Sequence, residues 1–240
     1  MKNMQQFLGK KYKISLYYRK DEGKIMMKEK VKEFIVKNLK WIILFICLIG
    51  FLALTEDVFN KEIMDGDIIG YKLISKFLIS DFTIPIAKSI TNFGGAIFLI
   101  VLTIILLISI KNKKIGLSIF SNLAIITILN QLLKRILQRP RPTEYRIIEE
   151  TGYSFPSGHS MISMAFYGYL IYLIYKYVEN KYVKWILISL LSVLICLIGV
   201  SRIYLGVHYT SDVLGGFLIS ISYLVIYISA VNKFFVEKRG

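Results

Sequence analysis

The chain has few of the residues that usually build disulfides, metal sites or acidic surfaces. Its 240 residues include two cysteines, two histidines and four prolines, and only 16 acidic residues stand against 31 lysines and arginines. Cys47 and Cys196 each lie within an apolar stretch, so we interpret both as small buried apolar side chains and exclude a disulfide or a metal-binding pair. Because histidine is so scarce, the surroundings of each histidine are informative.

Charged residues are also absent from several long apolar stretches, and this absence decides the fold class. A helix needs about 17–25 apolar residues to cross a bilayer core of about 30 Å. One such stretch could be a buried helix of a soluble protein, but a chain of 240 residues cannot bury six of them. We therefore predict an all-α, polytopic membrane protein with a bundle of six transmembrane helices. Four stretches are free of charge and two carry a charge only at the edge: Phe93–Ile110, Ile115–Leu133, Trp185–Ser201, Val213–Asn232, Leu39–Thr55 and Ser160–Tyr175.

The basic residues behind the formal net charge of +15 are distributed as the predicted topology requires. If the N-terminus is cytoplasmic, the cytoplasmic pieces hold 21 of the 31 lysines and arginines; these pieces are residues 1–40, 111–114, 176–184 and 233–240. Such enrichment is the positive-inside rule, which predicts that both termini are cytoplasmic. Basic flanks also attract anionic lipid headgroups. The membrane bilayer therefore explains the charge, and nucleic acid is excluded as a partner.

This topology divides the chain into three segments. They are a basic cytoplasmic N-terminal segment (1–38), a six-span domain (39–232) and a cytoplasmic tail (233–240). No cleavable signal peptide is evident, because the first apolar stretch follows mostly polar residues and lacks a small-residue cleavage site. The Met26-Met27 pair precedes a short basic stretch leading into the first span, which suggests that translation starts there and that residues 1–25 are dispensable.

The longest connection, Glu56–Asn92, is predicted to lie on the outer face. Ile69, Leu73 and Phe77 recur every four residues, which favours a helix lying in the membrane interface. A plain loop is the alternative.

Two cations follow the third span at a spacing that fits an anion site. Lys134 ends a span, and Arg141 follows across a turn that Pro140 and Pro142 stiffen. Arginine offers a planar fork of donors that matches phosphate oxygens, and lysine offers a compact point charge. Ordinary basic flanking at a membrane edge is the alternative, and we assign it to the neighbouring arginines Arg135, Arg139 and Arg146.

The first histidine follows a turn that opens the fourth span, in the run Pro156-Ser157-Gly158-His159. Ser157 can cap the helix, and free N–H groups at a helix N-terminus bind anions. Gly158 lets a ligand approach the backbone closely, and His159 can reach the same anion. A simple cap and turn would explain Pro-Ser-Gly alone, but the histidine disfavours that interpretation.

The second histidine lies in the run Ser201-Arg202-x5-His208-x3-Asp212. On a helical turn, His208 and Asp212 share a face, and a carboxylate bonded to one ring nitrogen leaves the other nitrogen basic and oriented. Asp212 adjoins an apolar span, where an unpaired carboxylate would be costly. A structural pair is the alternative, but Arg202 is close in sequence and His159 is predicted on the same face. All three motifs lie on the outer face, at the ends of spans three to six.

Together, K-x6-R-P, P-S-G-H and S-R-x5-H-x3-D resemble the signature of the type 2 phosphatidic acid phosphatase (PAP2) family, lipid phosphatases related to the vanadium haloperoxidases. Every position of the signature matches, and the motifs extend from Lys134 to Asp212. The resemblance implies a lipid phosphate substrate and an enzyme that needs no metal or other cofactor.

The resemblance also implies a role for each residue. His208 is the nucleophile that forms a phosphohistidine, Asp212 orients it, and His159 is the general acid and then the base for water. The phosphate oxygens are expected to bind the side chains of four residues and the backbone of a fifth: Lys134, Arg141, Ser157, Arg202 and Gly158.

We therefore expect a multi-pass plasma-membrane phosphatase with an extracytoplasmic site, and undecaprenyl diphosphate as its first candidate substrate. The alternatives are a phosphatidylglycerol phosphate or phosphatidic acid phosphatase, a lipid phosphotransferase, and a non-catalytic protein that binds or transports lipid phosphates. A soluble haloperoxidase is disfavoured by six spans, and a transporter by the near absence of ionisable groups within them.

Overall fold

The computed structural model describes residue 30, residues 33–60 and residues 63–235. Most of the predicted segment 1–38, including the Met26-Met27 pair, lies outside these residues, and so does most of the tail 233–240. The chain divides into two compact units, residues 1–43 and residues 44–240. The described part of the first unit is the beginning of a helix.

Helices make up all the regular secondary structure of the described residues, and no strand occurs among them, which confirms the all-α prediction. The helices are α1 (Glu33–Phe59), α2 (Asp65–Leu78), α3 (Thr83–Asn92), α4 (Ala96–Ser109), α5 (Lys113–Leu137), α6 (Gly158–Tyr177), α7 (Lys181–Tyr204) and α8 (Thr210–Phe235).

Side-chain caps explain where two of the long helices begin. The side chain of Asn112 accepts from the N–H of Lys114 at the start of α5. The side chain of Asn180 accepts from the N–H groups of Tyr182 and Val183 at the start of α7. Asparagine is a favoured cap because its oxygen satisfies amides that have no partner within the helix. These caps therefore determine the residues at which α5 and α7 begin.

Among the described residues, four helices, α1, α5, α7 and α8, are long and apolar enough to cross a membrane, so the chain is a multi-pass membrane protein. Helices α3 and α4 form a fifth candidate span if the pair, bent by 48°, is counted as one. The bend falls at Gly94 and Gly95. Each of the six predicted stretches is mainly helical, but α6 is less apolar because it carries serines and tyrosines. The count of six spans therefore stays a prediction.

Helix α6 occupies the centre of the second unit, where it contacts α5, α7 and α8. Its Phe166, Tyr167 and Tyr169 are buried in an apolar core with Ile198 of α7. Several polar groups within this core are paired, as a low-dielectric interior favours. For example, the Tyr169 hydroxyl donates to the Ser118 hydroxyl of α5 at 2.8 Å.

The predicted helix around Ile69, Leu73 and Phe77 is confirmed as α2, whereas its position in a membrane interface stays a prediction. Helix α2 contacts α7 and α8, and α3 contacts α7. The buried residue of α2 is Asp67, which points away from the apolar stripe used for the prediction.

The two cysteines differ in their surroundings. Cys47 is buried, but Cys196 is exposed on α7, so the prediction that both are buried was wrong for Cys196. In a membrane helix, an apolar side chain on the outer face contacts lipid tails as readily as protein, so hydropathy alone does not predict burial.

Candidate active site

The three sequence motifs come together at one end of the helix bundle. Lys134 lies near the C-terminal end of α5, His159 begins α6, Arg202 lies near the C-terminal end of α7, and Asp212 begins α8. The backbone N–H of Ser157 donates to the carbonyl of Asp212 at 3.0 Å, which joins the starts of α6 and α8 directly. All eight predicted site residues belong to this region.

His208 and Asp212 form a buried pair. Nδ1 of His208 lies 3.3 Å from Oδ2 of Asp212, and both side chains are almost fully enclosed. The same oxygen accepts from the N–H of Tyr209 at 2.8 Å and from the hydroxyl of Ser154. The carboxylate is therefore held by several donors, and it can orient the imidazole as the sequence predicted.

The other ring nitrogen of His208 meets a cation. Nη1 of Arg141 lies 3.0 Å from Nε2 of His208 and also donates to the carbonyl of Val207 at 3.0 Å. Because a guanidinium can only donate, Nε2 acts as the acceptor and Nδ1 carries the hydrogen directed at Asp212. Burial, assisted by the charges of Arg202 and Arg141 and opposed by Asp212, lowers the pKa of His208 to about 4. The imidazole is therefore neutral near pH 7, with an unprotonated Nε2.

Lys134 is buried, which is unusual for a lysine. Its ammonium group places a positive charge inside the site. This group donates to the backbone carbonyls of Tyr153 and Ser154, the latter at 3.4 Å. These carbonyls belong to the segment that precedes α6, so Lys134 ties α5 to that segment. A buried ammonium beside backbone oxygens can also bind a phosphate oxygen.

Arg202 is one of the most deeply buried side chains of the described residues. Its Nη1 donates to the hydroxyl of Thr91 at 2.9 Å, and its Nη2 lies 2.5 Å from a carboxylate oxygen of Glu150. The buried Nε has no hydrogen-bond partner among the described residues. Since a buried unpaired donor is costly, this N–H is available for an anion.

The turn before α6 has the features predicted from Pro-Ser-Gly-His. Ser157 caps α6 by accepting from Ser160. The N–H groups of Gly158 and His159 belong to the first turn of the helix, which has no carbonyl partners within the helix and suits an anion. A Cβ on Gly158 would lie 3.1 Å from Oδ1 of Asn130, so glycine permits close approach of α6 to α5.

His159 lies within the same charged cluster. Burial, assisted by the charges of Arg202 and Arg141 and opposed by Glu150, lowers the pKa of His159 to about 3. The ring is therefore neutral near pH 7 in the empty site, and its predicted role as general acid requires it to gain a proton when a negatively charged ligand binds.

Arg139 was predicted to be an ordinary basic flank, and this was wrong. The side chain is only 4% exposed, and its Nη1 donates to Oδ1 of Asp212 at 2.7 Å. Its Nη2 donates to Oδ2 of Asp67 at 2.8 Å. Arg135, in contrast, is exposed, as a flanking residue should be. The two differ because Arg139 follows the end of α5, where the chain turns back over the site.

Three further residues of the site were not predicted. Asp67 is contributed by α2, far away in the sequence, and no local pattern marks it. Ser154 donates to Asp212, but a serine before Phe-Pro has no distinguishing signal. Glu150 pairs with Arg202 and lies 3.7 Å from Arg141. Burial alone would raise the pKa of Glu150, but Arg202 and Arg141 lower it overall, so this carboxylate is ionised at neutral pH.

A cavity of about 570 Å³ opens beside His208. Helix α2 forms one wall with Tyr71 and Lys72, and the connection between α5 and α6 forms the other with Tyr145. Cavities of this size bind small molecules or the headgroup of a larger one. Within the described part of the chain, no three histidine, cysteine, aspartate or glutamate side chains are grouped as metal ligands.

The sequence matches the profile of the PAP2 superfamily over residues 115–235. Phosphatidylglycerophosphatase B from Bacillus subtilis is 34% identical over 137 residues, which are 55% of this chain and 67% of that protein. Undecaprenyl-diphosphatase from Sulfolobus acidocaldarius is 30% identical over 151 residues, which are 60% of this chain and 69% of that protein.

The fold is also found in solved structures, among them the following two. The crystal structure of a transmembrane PAP2-type phosphatidylglycerolphosphate phosphatase from Bacillus subtilis superposes with a TM-score of 0.70 at 26% identity, covering 80% of this chain and 98% of that one. Aquifex aeolicus LpxE superposes with a TM-score of 0.55 at 24% identity, covering 66% of this chain and 92% of that one, and this second likeness concerns the fold alone.

The superfamily profile covers about half of the chain and includes every motif from Lys134 to Asp212. The chain therefore belongs to the PAP2 superfamily and is a multi-pass membrane phosphatase.

Proposed function

We propose that the chain hydrolyses the phosphate headgroup of a membrane lipid through a phosphohistidine formed on His208. The observation that carries this proposal is the state of the His208 ring. Its Nδ1–H faces a buried carboxylate, and its Nε2 faces Arg141 as an unprotonated acceptor. A nucleophile needs this arrangement, because Nε2 must offer its lone pair to phosphorus while Asp212 stabilises the positive charge that develops on the ring.

The reaction has two steps that balance in atoms and protons. His159, which is neutral in the empty site, takes up a proton from solvent when the negatively charged headgroup binds beside it. Nε2 of His208 then attacks phosphorus, the bond from phosphorus to the leaving oxygen breaks, and the protonated His159 donates its proton to that oxygen. Water then attacks the phosphohistidine and gives a proton to His159, and the bond from nitrogen to phosphorus breaks. Inorganic phosphate leaves, and both histidines return to their initial protonation states.

Charge on the transferring phosphoryl group would be stabilised by the cations and amides of the site. The Nε–H of Arg202, which has no partner among the described residues, and the first amides of α6 are donors suited to its oxygens. Ser157, Gly158, Lys134 and Arg141 complete the proposed set. Three fixed cations can supply the stabilisation that a divalent metal supplies in other phosphatases, which supports metal-independent catalysis.

Undecaprenyl diphosphate is the first candidate substrate, because a site on the outer face would meet this carrier lipid after cell-wall polymerisation. The similarity to an undecaprenyl-diphosphatase supports it. Phosphatidylglycerol phosphate is the second candidate, supported by similarity in sequence and structure to phosphatases named for that lipid.

A substrate panel tests the proposal. Purified protein in detergent micelles would be offered undecaprenyl diphosphate, phosphatidylglycerol phosphate, phosphatidic acid and lysophosphatidic acid, and released phosphate would be measured. We expect release from at least one lipid and none from His208→Ala. Release by His208→Ala at the wild-type rate would contradict the proposed nucleophile. Transfer to an added alcohol in preference to water would favour a phosphotransferase, and binding without turnover would favour a lipid-binding or transport protein.

We also propose six spans within residues 39–232, cytoplasmic segments 1–38 and 233–240, and a site on the outer side of the plasma membrane. The positive-inside distribution supports this orientation. In a background without Cys47 and Cys196, Tyr145→Cys should react with an impermeant thiol reagent on intact cells whose outer membrane, if present, is permeabilised. Lys111→Cys should react only after the inner membrane is opened. The opposite pattern would place the site in the cytoplasm and disfavour the carrier lipid.

A further inference from the structure

Asp212 is the end of a longer buried chain of charges. Its Oδ1 accepts from Nη1 of Arg139 at 2.7 Å, and Nη2 of the same guanidinium donates to Asp67 at 2.8 Å. All three side chains are at most 4% exposed. Asp67 also accepts at Oδ1 from the N–H and the hydroxyl of Ser211, at 2.8 and 2.6 Å. Both carboxylates are therefore fully engaged, and the arginine joins them as a planar fork.

We propose that Arg139 and Asp67 are positioning residues that hold Asp212 against His208 and set the negative charge that His208 experiences. The proposal rests on the proposed function, in which His208 is the nucleophile. Asp67 lies outside the three sequence motifs, Arg139 takes one of the unspecified positions of K-x6-R-P, and neither needs to contact the substrate for this role.

The charges explain why both residues are needed. Asp67, Arg139 and Asp212 together carry a formal charge of −1, the charge that an oriented imidazole needs beside it when it becomes cationic. Arg139 alone would neutralise Asp212, and Asp67 offsets that effect. Without Arg139, two buried carboxylates would be left with no guanidinium between them, which is unfavourable in a low-dielectric interior.

The guanidinium also has a geometric role. It occupies Oδ1 of Asp212, which leaves Oδ2 for His208, Ser154 and the N–H of Tyr209. It stacks over the ring of Tyr209, with 4.2 Å between its central carbon and the ring centroid. Because Asp67 lies on α2, the helix that forms one wall of the cavity is tied to the catalytic pair.

Opposite effects of two substitutions distinguish this role from simple structural support. Arg139→Met makes the cluster more negative, so protonated His208 is favoured and its titration midpoint rises. Asp67→Asn makes the cluster neutral, so the midpoint falls. Each shift should be on the order of one pH unit, and Arg139→Met should give the larger one, because Arg139 contacts Asp212 directly whereas Asp67 contacts it through Arg139. The double variant restores the charge of −1 and should return the midpoint towards the wild-type value.

The test is an NMR titration of the histidine ring carbons in the full-length protein in detergent. The chain has only two histidines, so His159→Gln assigns both signals. Among the described residues, four other ionisable groups face His208: Asp212 on α8, Arg202 on α7, His159 on α6, and Arg141 between α5 and α6. They are unchanged in all variants except His159→Gln, which serves only for assignment. Matched controls are Arg135→Met and Asp65→Asn, which change exposed residues of the same types and should leave both signals unshifted.

Kinetics supply a second readout. Arg139→Lys keeps the positive charge, so the titration midpoint of His208 should match the wild type. Its ammonium group, however, cannot span both carboxylates. The kcat of this variant should fall about tenfold, the lower end of the range for lost outer partners of an oriented histidine, with KM unchanged. If Arg139→Met fails to fold, Asp67→Asn and Arg139→Lys still carry the test.

Shifts in the same direction for both single variants, or none in either, would overturn the proposal, as would a double variant no closer to the wild type than the singles. The proposed function fails separately: the titration shifts could appear in a protein that hydrolyses none of the lipid phosphates. Conversely, hydrolysis with unshifted titrations would refute the positioning role alone.

Discussion

Replacement of Asp212 by asparagine tests how much of the proposed catalysis depends on the charge of the carboxylate. Asparagine keeps the size and one acceptor oxygen, but its amide NH2 would face either Arg139 or the donors at Oδ2, so the Tm of the variant is measured alongside its activity. The lost charge acts on the His208 ring, which becomes cationic when Nε2 bonds to phosphorus. With 3.3 Å between Nδ1 and Oδ2 and an effective dielectric constant of about 20, the interaction amounts to about 5 kcal/mol.

A loss of this size lowers the rate by roughly 10³- to 10⁴-fold, since each 1.36 kcal/mol is about tenfold. The loss should appear in kcat, while KM should stay within about threefold because the proposed phosphate-binding cations are untouched. The assay is phosphate release in micelles from whichever lipid the wild type hydrolyses, with Asp65→Asn as the control on an exposed aspartate. A loss of kcat smaller than tenfold in a folded Asp212→Asn protein would refute the electrostatic role of this carboxylate.

Three other predictions concern metal, pH and backbone conformation. Activity should persist in excess EDTA and be inhibited by orthovanadate, which resembles the transition state; strict magnesium dependence would contradict the role given to the cations. Burial lowers the pKa of His208 to about 4 in the folded protein. Between about pH 4 and 6.5 the unfolded chain therefore binds more protons at this residue than the folded chain does, and the free energy of unfolding should rise with pH by up to about 3 kcal/mol in total. Denaturant unfolding of His208→Gln should lack this part of the pH dependence, and an unchanged slope would count against the burial effect. Gly206→Ala should lower Tm and kcat, because φ is +69° and a Cβ would lie 2.3 Å from the carbonyl oxygen of Tyr145; Gly152→Ala, at φ +75° in open space, should cost only about 1–2 kcal/mol, and equal losses would contradict the steric argument.

The sequence predicted the elements of this site well where the signal was local. The His208–Asp212 pair follows from a spacing of four residues, and the cap at Ser157 follows from the residues that precede α6. The approach of Lys134 and Arg202 to the same place followed from topology, because alternating helix directions bring every second connection to one face. Charge-free stretches predicted the long helices, since hydropathy reports on transfer out of water, whether into lipid or into the protein interior.

The remaining features depend on contacts between distant parts of the chain. Arg139 and Asp67 are 72 residues apart, and nothing near either residue distinguishes a buried pair from two surface charges. The bend between α3 and α4 was also not predicted, because an apolar stretch has the same composition whether it is straight or bent. Cys196 shows the same limit, since lipid and protein interior favour the same apolar side chains.

Identification of the phosphoenzyme tests the central claim most directly. The purified protein would be mixed with a lipid labelled in its terminal phosphate, quenched within milliseconds in alkali, where phosphohistidine is stable, and digested for peptide mapping. We expect label on the peptide that contains His208, its accumulation in His159→Ala when the leaving group is good, and its absence in His208→Ala. Label on another residue, or turnover with no phosphoenzyme and with inversion of configuration at phosphorus, would contradict the account.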